Sequence, residues 1–223
     1  MISIRIMSGL ALATLLCAGG PAAAVDLGPS SGFLSTYTGP KGEDLDVTDA
    51  TAVFKNGSFE FDATFGAAIG TTAPSGGNAP VYVWGVYRGS PTPASFAPQD
   101  PGVIFDAVVV AIPSANFALV VDIANGGTQT PFSGMTFSGN SLDLTVPGSL
   151  LPSLGQFSPG QYEVNLWPRF GISGGIEQIA QFVPDNSVTT VGVPEPGAWA
   201  LLLAGFLGLG TALRMARRPV LAV

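Results

Sequence analysis

Alternation of apolar and polar residues is the main structural signal in the middle of this chain. The clearest case is SFEFDATF at positions 58–65, where phenylalanine or alanine fills every second position and serine, acids or threonine fill the others. A period of two places one set of side chains on each face of a strand, so this segment predicts a half-buried β-strand. The preceding Asn56-Gly57 pair can adopt the positive φ angles of a type I′ turn, which predicts a hairpin with residues 52–55.

A second tight turn is predicted at Gly139-Asn140, between residues 135–138 and the alternating segment SLDLTV. Short runs rich in β-branched and aromatic residues predict further strands at positions 81–88, 103–112, 117–123, 162–167 and 176–183. Residues 150–157 predict one short helical turn, and the Pro/Gly-rich residues 70–80 and 89–102 predict loops.

Composition indicates the same class of fold. Thirty glycines and nineteen prolines are spread through 223 residues, which disfavours long helices. Short strands bounded by turn residues are typical of two packed antiparallel sheets, so we predict an all-β, two-sheet β-sandwich at residues 25–191. Its predicted core contains Phe59, Phe61, Phe65, Val83, Val109, Leu119, Val121, Leu144 and Leu166. Trp84 and Trp167 are interpreted as structural, with an exposed pair that stacks on sugar rings as the alternative.

Residues 1–24 have the organisation of a secretory signal peptide. Arg5 supplies the positive charge, residues 10–18 form an apolar stretch, and Ala22 and Ala24 give the small-residue pattern of a cleavage site. Cleavage after Ala24 by signal peptidase, after export through the Sec machinery, leaves Val25 as the first residue. The single cysteine lies within the removed segment, so the mature chain is expected to have neither a disulfide nor a thiol nucleophile.

The C-terminal region carries a second targeting pattern. Pro194-Glu195-Pro196 lies in a stretch, residues 192–197, that proline keeps extended as a linker. Residues 198–213 contain no charge and predict a transmembrane helix, although the run is slightly shorter than the roughly twenty residues of a standard span. Positive flanks stay in the cytoplasm, so the basic tail at 214–223, with Arg214, Arg217 and Arg218, places the preceding domain outside it.

Together, the Pro-Glu-Pro motif, the Gly-containing apolar run and the arginine cluster resemble the PEP-CTERM sorting signal of Gram-negative bacteria. This resemblance implies an inner-membrane intermediate with its domain in the periplasm, cleavage near Pro-Glu-Pro by exosortase, and delivery to the cell surface or matrix. Such proteins commonly accompany exopolysaccharide production and biofilm. A weaker resemblance, carried by TGPKGEDLDVTDATAVF, VYVWGVYRG, GVIFDAVVV, NLWPR and FVPDNS, is to a recurring exported domain with no established activity.

Charge and catalytic residue types narrow the function further. Between residues 25 and 191, four basic residues face fourteen acidic ones, so this domain would repel a phosphate backbone and nucleic acid is not an expected partner. GISGG at 171–175 matches a nucleophile-elbow pattern around Ser173, but that motif needs a histidine base and the chain has no histidine. A flexible turn is the better interpretation.

Two groups of carboxylates remain as candidate chemistry. Glu43, Asp44, Asp46 and Asp49 form an acidic segment that either is solvated or provides oxygen ligands for calcium. A polysaccharide hydrolase would need two carboxylates beside one groove, and the candidates in predicted strands are Glu60, Asp62, Asp106, Asp122 and Glu163. Overall, we expect a non-enzymatic exported surface or matrix protein with no required cofactor. The alternative is a carbohydrate-binding or calcium-dependent adhesion module.

Overall fold

The structure is a computed structural model that describes residues 24–191, and in them the chain is all-β with antiparallel sheets. Its strands are β1 (Val25–Asp26), β2 (Val47–Lys55), β3 (Ser58–Phe65), β4 (Pro80–Tyr87), β5 (Ala94–Phe96), β6 (Asp100–Phe105), β7 (Ala107–Ile112), β8 (Phe117–Asp122), β9 (Thr128–Phe132), β10 (Met135–Ser138), β11 (Ser141–Pro147), β12 (Glu163–Phe170) and β13 (Thr189–Thr190). Short 3-10 turns lie at Glu43–Leu45, Pro113–Ala115, Gly148–Leu150, Pro159–Gln161 and Ile176–Gln178.

The first sheet has five strands in the order β1-β2-β3-β11-β10. Both predicted hairpins lie in it and are confirmed. Lys55 pairs with Ser58 across Asn56 and Gly57, whose φ angles of 52° and 79° suit a type I′ turn. The second two-residue turn, between β10 and β11, has a positive φ of 59° at Gly139.

The second sheet has six strands in the order β13-β12-β4-β7-β8-β9, and β5 pairs with β6 in a separate two-stranded ribbon. The inner sides of the two large sheets share one apolar core. Phe61 of the first sheet packs on Trp84 of the second with ring centroids 5.0 Å apart, and Phe65 packs on Tyr82 at 4.6 Å. Full burial of such a ring stabilises the fold by roughly 1.5–3 kcal/mol.

A smaller apolar cluster lies on the other side of the second sheet. There the β5–β6 ribbon and residues 179–182 cover part of β4 and β12, and Phe105 packs on Trp167 with ring centroids 5.0 Å apart. All residues of both clusters fall within the compact unit Ala22–Val193. Since this unit holds its own core and every described strand, it has what a chain needs to fold by itself.

Three details of the predicted strands are wrong. Residues 103–112 are not one strand. The carboxylate of Asp106 forms a buried ion pair with Arg88, and this residue separates β6 from β7. Residues 176–183 form a 3-10 turn and isolated bridges instead of a strand. The predicted loop 89–102 contains β5, which apolar packing against the second sheet holds in place. Of the predicted core residues, Val121 alone is only half-buried.

Candidate binding groove

The outer faces of the two large sheets differ in polarity. Strand β3 buries Phe59, Phe61, Ala63 and Phe65 and turns serine, acids and threonine outward. Strand β7 alternates in burial too, but the half-buried residues on its outer side are Val108, Val110 and Ile112. An antiparallel sheet with one solvated face normally presents polar residues there. The second sheet is therefore unusual in having an apolar outer face.

Strand register extends this apolar face across neighbouring strands. Val110 lies between Val83 of β4 and Leu119 of β8, and the next row pairs Val108 with Val121. Ile112 pairs with Phe117 at the end of β8. These rows form the floor of one continuous apolar surface.

This surface is the floor of a groove of about 490 Å³, with Phe96, Phe105 and Ile172 among its walls. Four large apolar side chains are exposed among residues 24–191, and three of them line the groove: Phe117, Ile123 and Ile172. Its volume falls in the range of small-molecule sites, roughly 300–1,000 Å³. A second pocket, beside Ile69 and Phe137, has only about 160 Å³ and is below that range.

Arg169 and Gln129 are the polar side chains that line the groove. Arg169 donates from Nη2 to the carbonyl oxygens of Ser173 and Gly174, at 3.2 and 3.1 Å. Its Nε is buried and has no hydrogen-bond partner. Burial lowers the pKa of Arg169, while the carboxylate of Glu177 opposes that shift. Arginine nevertheless remains protonated at neutral pH, so the groove carries one positive charge.

Asp106 and Asp122, two of the candidate hydrolase residues, do come together, but around a buried cation. The fully buried Arg88 donates from Nε to Asp106 at 2.7 Å and from both terminal nitrogens to Asp122, at 3.2 and 2.5 Å. Asp106 also accepts the backbone N–H groups of Arg88 and Ser90. Burial acts to raise the pKa of Asp122, but hydrogen bonds from Arg88 and Asn125 outweigh it and leave that pKa lowered. These oxygens are engaged in structural bonds and are not free to attack or protonate a substrate.

The other candidate carboxylates do not face the groove. Glu60 and Asp62 lie on the outer face of the first sheet, where Asp62 is directly opposite Asp143 and Glu60 pairs with Lys55 at 2.5 Å. Glu163 lies on β12 opposite Tyr87, and burial raises its pKa. No carboxylate among the described residues lines the groove, so the geometry of a glycosidase is not present there.

The calcium prediction is not supported by the arrangement of its four residues. Asp44 is fully buried, and its carboxylate accepts hydrogen bonds from the Thr72 hydroxyl and from the backbone N–H groups of Thr72 and Gly70. Glu43 and Asp49 are exposed, and Asp46 is half-buried. Within residues 24–191, no three acidic side chains are close enough together to hold a metal ion. Asp44 therefore fixes a loop, and its oxygens do not point to a shared cation.

The remaining sequence motifs have structural positions or lie outside the described residues. Ser173 lies in an exposed series of bends, which confirms the turn interpretation. Trp84 and Trp167 are 0% and 2% exposed, so they do not form an exposed pair for sugar stacking. Ala24 is exposed and Val25 begins β1. Residues that fall outside the described part are Ala22, Pro194, Glu195, Pro196, Arg214, Arg217 and Arg218.

The groove and its arginine were not identified from the sequence, although one signal was present. Residues 107–112 read AVVVAI and contain no polar position. A fully apolar strand in a mostly antiparallel chain indicates that both of its faces are covered or that one face binds something. Arg169 is the last residue of NLWPR, one of the segments of the weaker resemblance, but that resemblance implies no binding role for it.

The part of the chain that the structure describes, residues 24–191, has no helix long and apolar enough to cross a bilayer. The predicted span at 198–213 lies outside those residues. No protein-family model matches the chain, and no curated protein is similar enough to count as a match.

Proposed function

We propose that this chain is an exported, non-enzymatic protein of the bacterial cell surface or extracellular matrix. In this proposal a signal peptide directs export through the Sec machinery, and a PEP-CTERM-like segment anchors the chain in the inner membrane. Exosortase then cuts near Pro194-Glu195-Pro196. Association with exopolysaccharide or biofilm rests on the resemblance of the C-terminal segment.

The observation that carries this proposal is the position of the two predicted cuts relative to the fold. Val25, the first residue after signal cleavage, is also the first residue of β1 and pairs with Ala52. The last described strand, Thr189–Thr190, ends before Pro194. Both cuts therefore leave every described strand and both apolar clusters intact, as processing of a folded exported domain requires.

The domain is compatible with export, and the engagement of its carboxylates favours a non-catalytic role. Residues 25–191 contain no cysteine, so the β-sandwich relies on its core and does not depend on disulfide formation after export. Arg88 occupies the oxygens of Asp106 and Asp122, and the chain has no histidine to serve as a base. The alternative, a carbohydrate-binding or calcium-dependent adhesion module, has less support because the tryptophans are buried and Asp44 is engaged with Thr72.

The test is expression of the full chain in a Gram-negative host with an exosortase, followed by cell fractionation and intact-mass measurement. We expect a product that begins at Val25 and ends near Pro194. Replacing Pro194-Glu195-Pro196 with alanines should leave an uncut form in the inner membrane. Pro91-Thr92-Pro93, a similar tripeptide in a described loop, provides the control, and its replacement should leave processing unchanged. Equal processing of the wild-type and Pro194 variants would contradict the proposal.

A further inference from the structure

The apolar groove on the second sheet has no part in export or sorting. Its floor consists of aliphatic side chains in register on β4, β7 and β8, and aromatic rings stand at its walls. A large continuous patch of exposed apolar side chains on a folded domain is typical of a ligand-binding groove or an interaction surface. We propose that the groove binds a single-chain amphiphile with an anionic group, a fatty acid in chemical class, with its hydrocarbon chain along the sheet and its carboxylate at Arg169.

The lining favours a hydrocarbon chain over a sugar. A sugar needs a hydrogen-bond partner for most of its hydroxyl groups, because burying them unpaired is costly. The groove offers two polar side chains, Gln129 and Arg169. Its tryptophan, Trp167, is only 2% exposed and packs edge-on against Phe96, so its ring face is not free to stack on a pyranose. Valine, isoleucine and leucine side chains, in contrast, match the surface of an alkyl chain.

The charge in the groove favours an anion. The described domain has fourteen acidic residues, yet none of them lines the groove. Among residues 24–191, Arg88 and Lys55 are held in ion pairs, and Lys41 does not line the groove. Arg169 does line it and has no carboxylate of these residues within 4 Å. Its Nε has no partner, which leaves a donor for an incoming carboxylate. The apolar surroundings strengthen that interaction relative to water.

The same charges disfavour a second copy of the chain as the occupant. Two acidic domains would repel one another, and facing grooves would bring two copies of Arg169 together without an intervening anion. A small amphiphile brings the opposite charge to Arg169 and also covers the exposed apolar side chains of Phe117 and Ile123. Charge complementarity therefore selects the anionic amphiphile.

The test is calorimetric titration of residues 22–193 with dodecanoate below its micelle concentration. We expect saturable one-to-one binding. Dodecyltrimethylammonium, which has the same chain length and a positive head, should bind at least about tenfold more weakly because it cannot accept a hydrogen bond from Arg169. A dodecanoate analogue brominated on its chain should quench the fluorescence of Trp167, which lines the groove, and the quenching should persist in Trp84→Phe.

Single substitutions distinguish the contribution of the ligand's head group to binding from that of its hydrocarbon chain. Arg169→Gln should weaken dodecanoate binding about tenfold, and Arg169→Lys should restore part of the loss. Arg169→Gln should not weaken binding of dodecyltrimethylammonium, because the removed charge repels that head group. Phe117→Gln should weaken both ligands several-fold. Phe137→Gln is the matched control, since Phe117 and Phe137 are each 40% exposed but only Phe117 lines the groove.

Four results would overturn the proposal. The first is the absence of any binding heat with dodecanoate. The second is equal affinity for dodecanoate and dodecyltrimethylammonium. Concentration-dependent dimers that disappear in Phe117→Gln without dodecanoate binding would identify a second copy as the occupant. Binding to phosphatidylglycerol vesicles without binding to free dodecanoate would identify a membrane surface instead.

Discussion

The indole ring of Trp167 occupies the space beside Gly85 on the neighbouring strand, so a Cβ atom at position 85 would overlap that ring. Gly85 lies in β4, and it is the one residue of that strand without a side chain; the remaining seven are all buried or half-buried. The missing side chain allows Trp167 to lie across the sheet and to pack against Phe105 and Phe96. One glycine thus creates the place for the ring that lines the groove.

The first prediction concerns this contact. Gly85→Ala should destabilise residues 22–193 by about 1–3 kcal/mol, because the added methyl group forces the Trp167 ring or the strand to move. Urea unfolding should show a lower midpoint with an unchanged slope. Gly160→Ala is the control, since a Cβ atom there meets nothing within 4 Å. Equal losses of stability in the two variants would show that Trp167 does not constrain position 85.

The second prediction contrasts a buried ion pair with an exposed one. Arg88→Met should destabilise the domain by about 3–5 kcal/mol, because it leaves the carboxylates of Asp106 and Asp122 without their cation. Lys55→Met removes the partner of Glu60, but both side chains are partly exposed, so the expected cost is below about 1 kcal/mol. Chemical unfolding of both variants at pH 7 measures the difference. A loss for Arg88→Met no larger than that for Lys55→Met would contradict the assigned role.

The difference between the predicted and observed strands has a physical origin. Strands with one polar face, such as Ser58–Phe65, were predictable because period two is visible within the segment itself. The break at Asp106 was not, because it depends on Arg88, which is 18 residues earlier in the sequence. The groove was not predictable either, since an all-apolar strand such as β7 gives no sign of which face is covered.

The third prediction uses the cross-strand pair of Asp62 and Asp143. Burial, the charge of Asp143 and the charge of Glu60 raise the pKa of Asp62, and Lys55 and the Thr51 hydroxyl only partly oppose them. A carboxyl with a higher pKa in the folded state binds more protons when folded, so stability falls as pH rises through that range. Asp62→Asn should therefore stabilise the domain at pH 7, by up to about 1 kcal/mol.

Thermal unfolding between pH 3 and pH 7 checks this sign. The advantage of Asp62→Asn should shrink as pH falls below the usual range of an aspartate, because the wild-type carboxyl is then protonated in both states. Asp49→Asn is a suitable control, because Asp49 is an exposed acid on β2, the strand beside β3. An advantage that stays constant down to pH 3 would assign the effect to something other than charge.

The last prediction concerns Asp44 and calcium. Both oxygens of the Asp44 carboxylate accept hydrogen bonds from the segment Gly70–Thr72, and the Tyr82 hydroxyl donates to its backbone carbonyl at 2.9 Å. Asp44→Asn replaces the hydrogen bonds of a carboxylate with the weaker ones of a neutral amide and forces the Thr72 hydroxyl to accept instead of donate, so it should cost about 1–3 kcal/mol. Because these oxygens are already engaged, millimolar calcium or a chelator should leave the melting temperature of the wild-type domain unchanged. A calcium-dependent rise in melting temperature that disappears in Asp44→Asn would show instead that the loop rearranges to bind the ion.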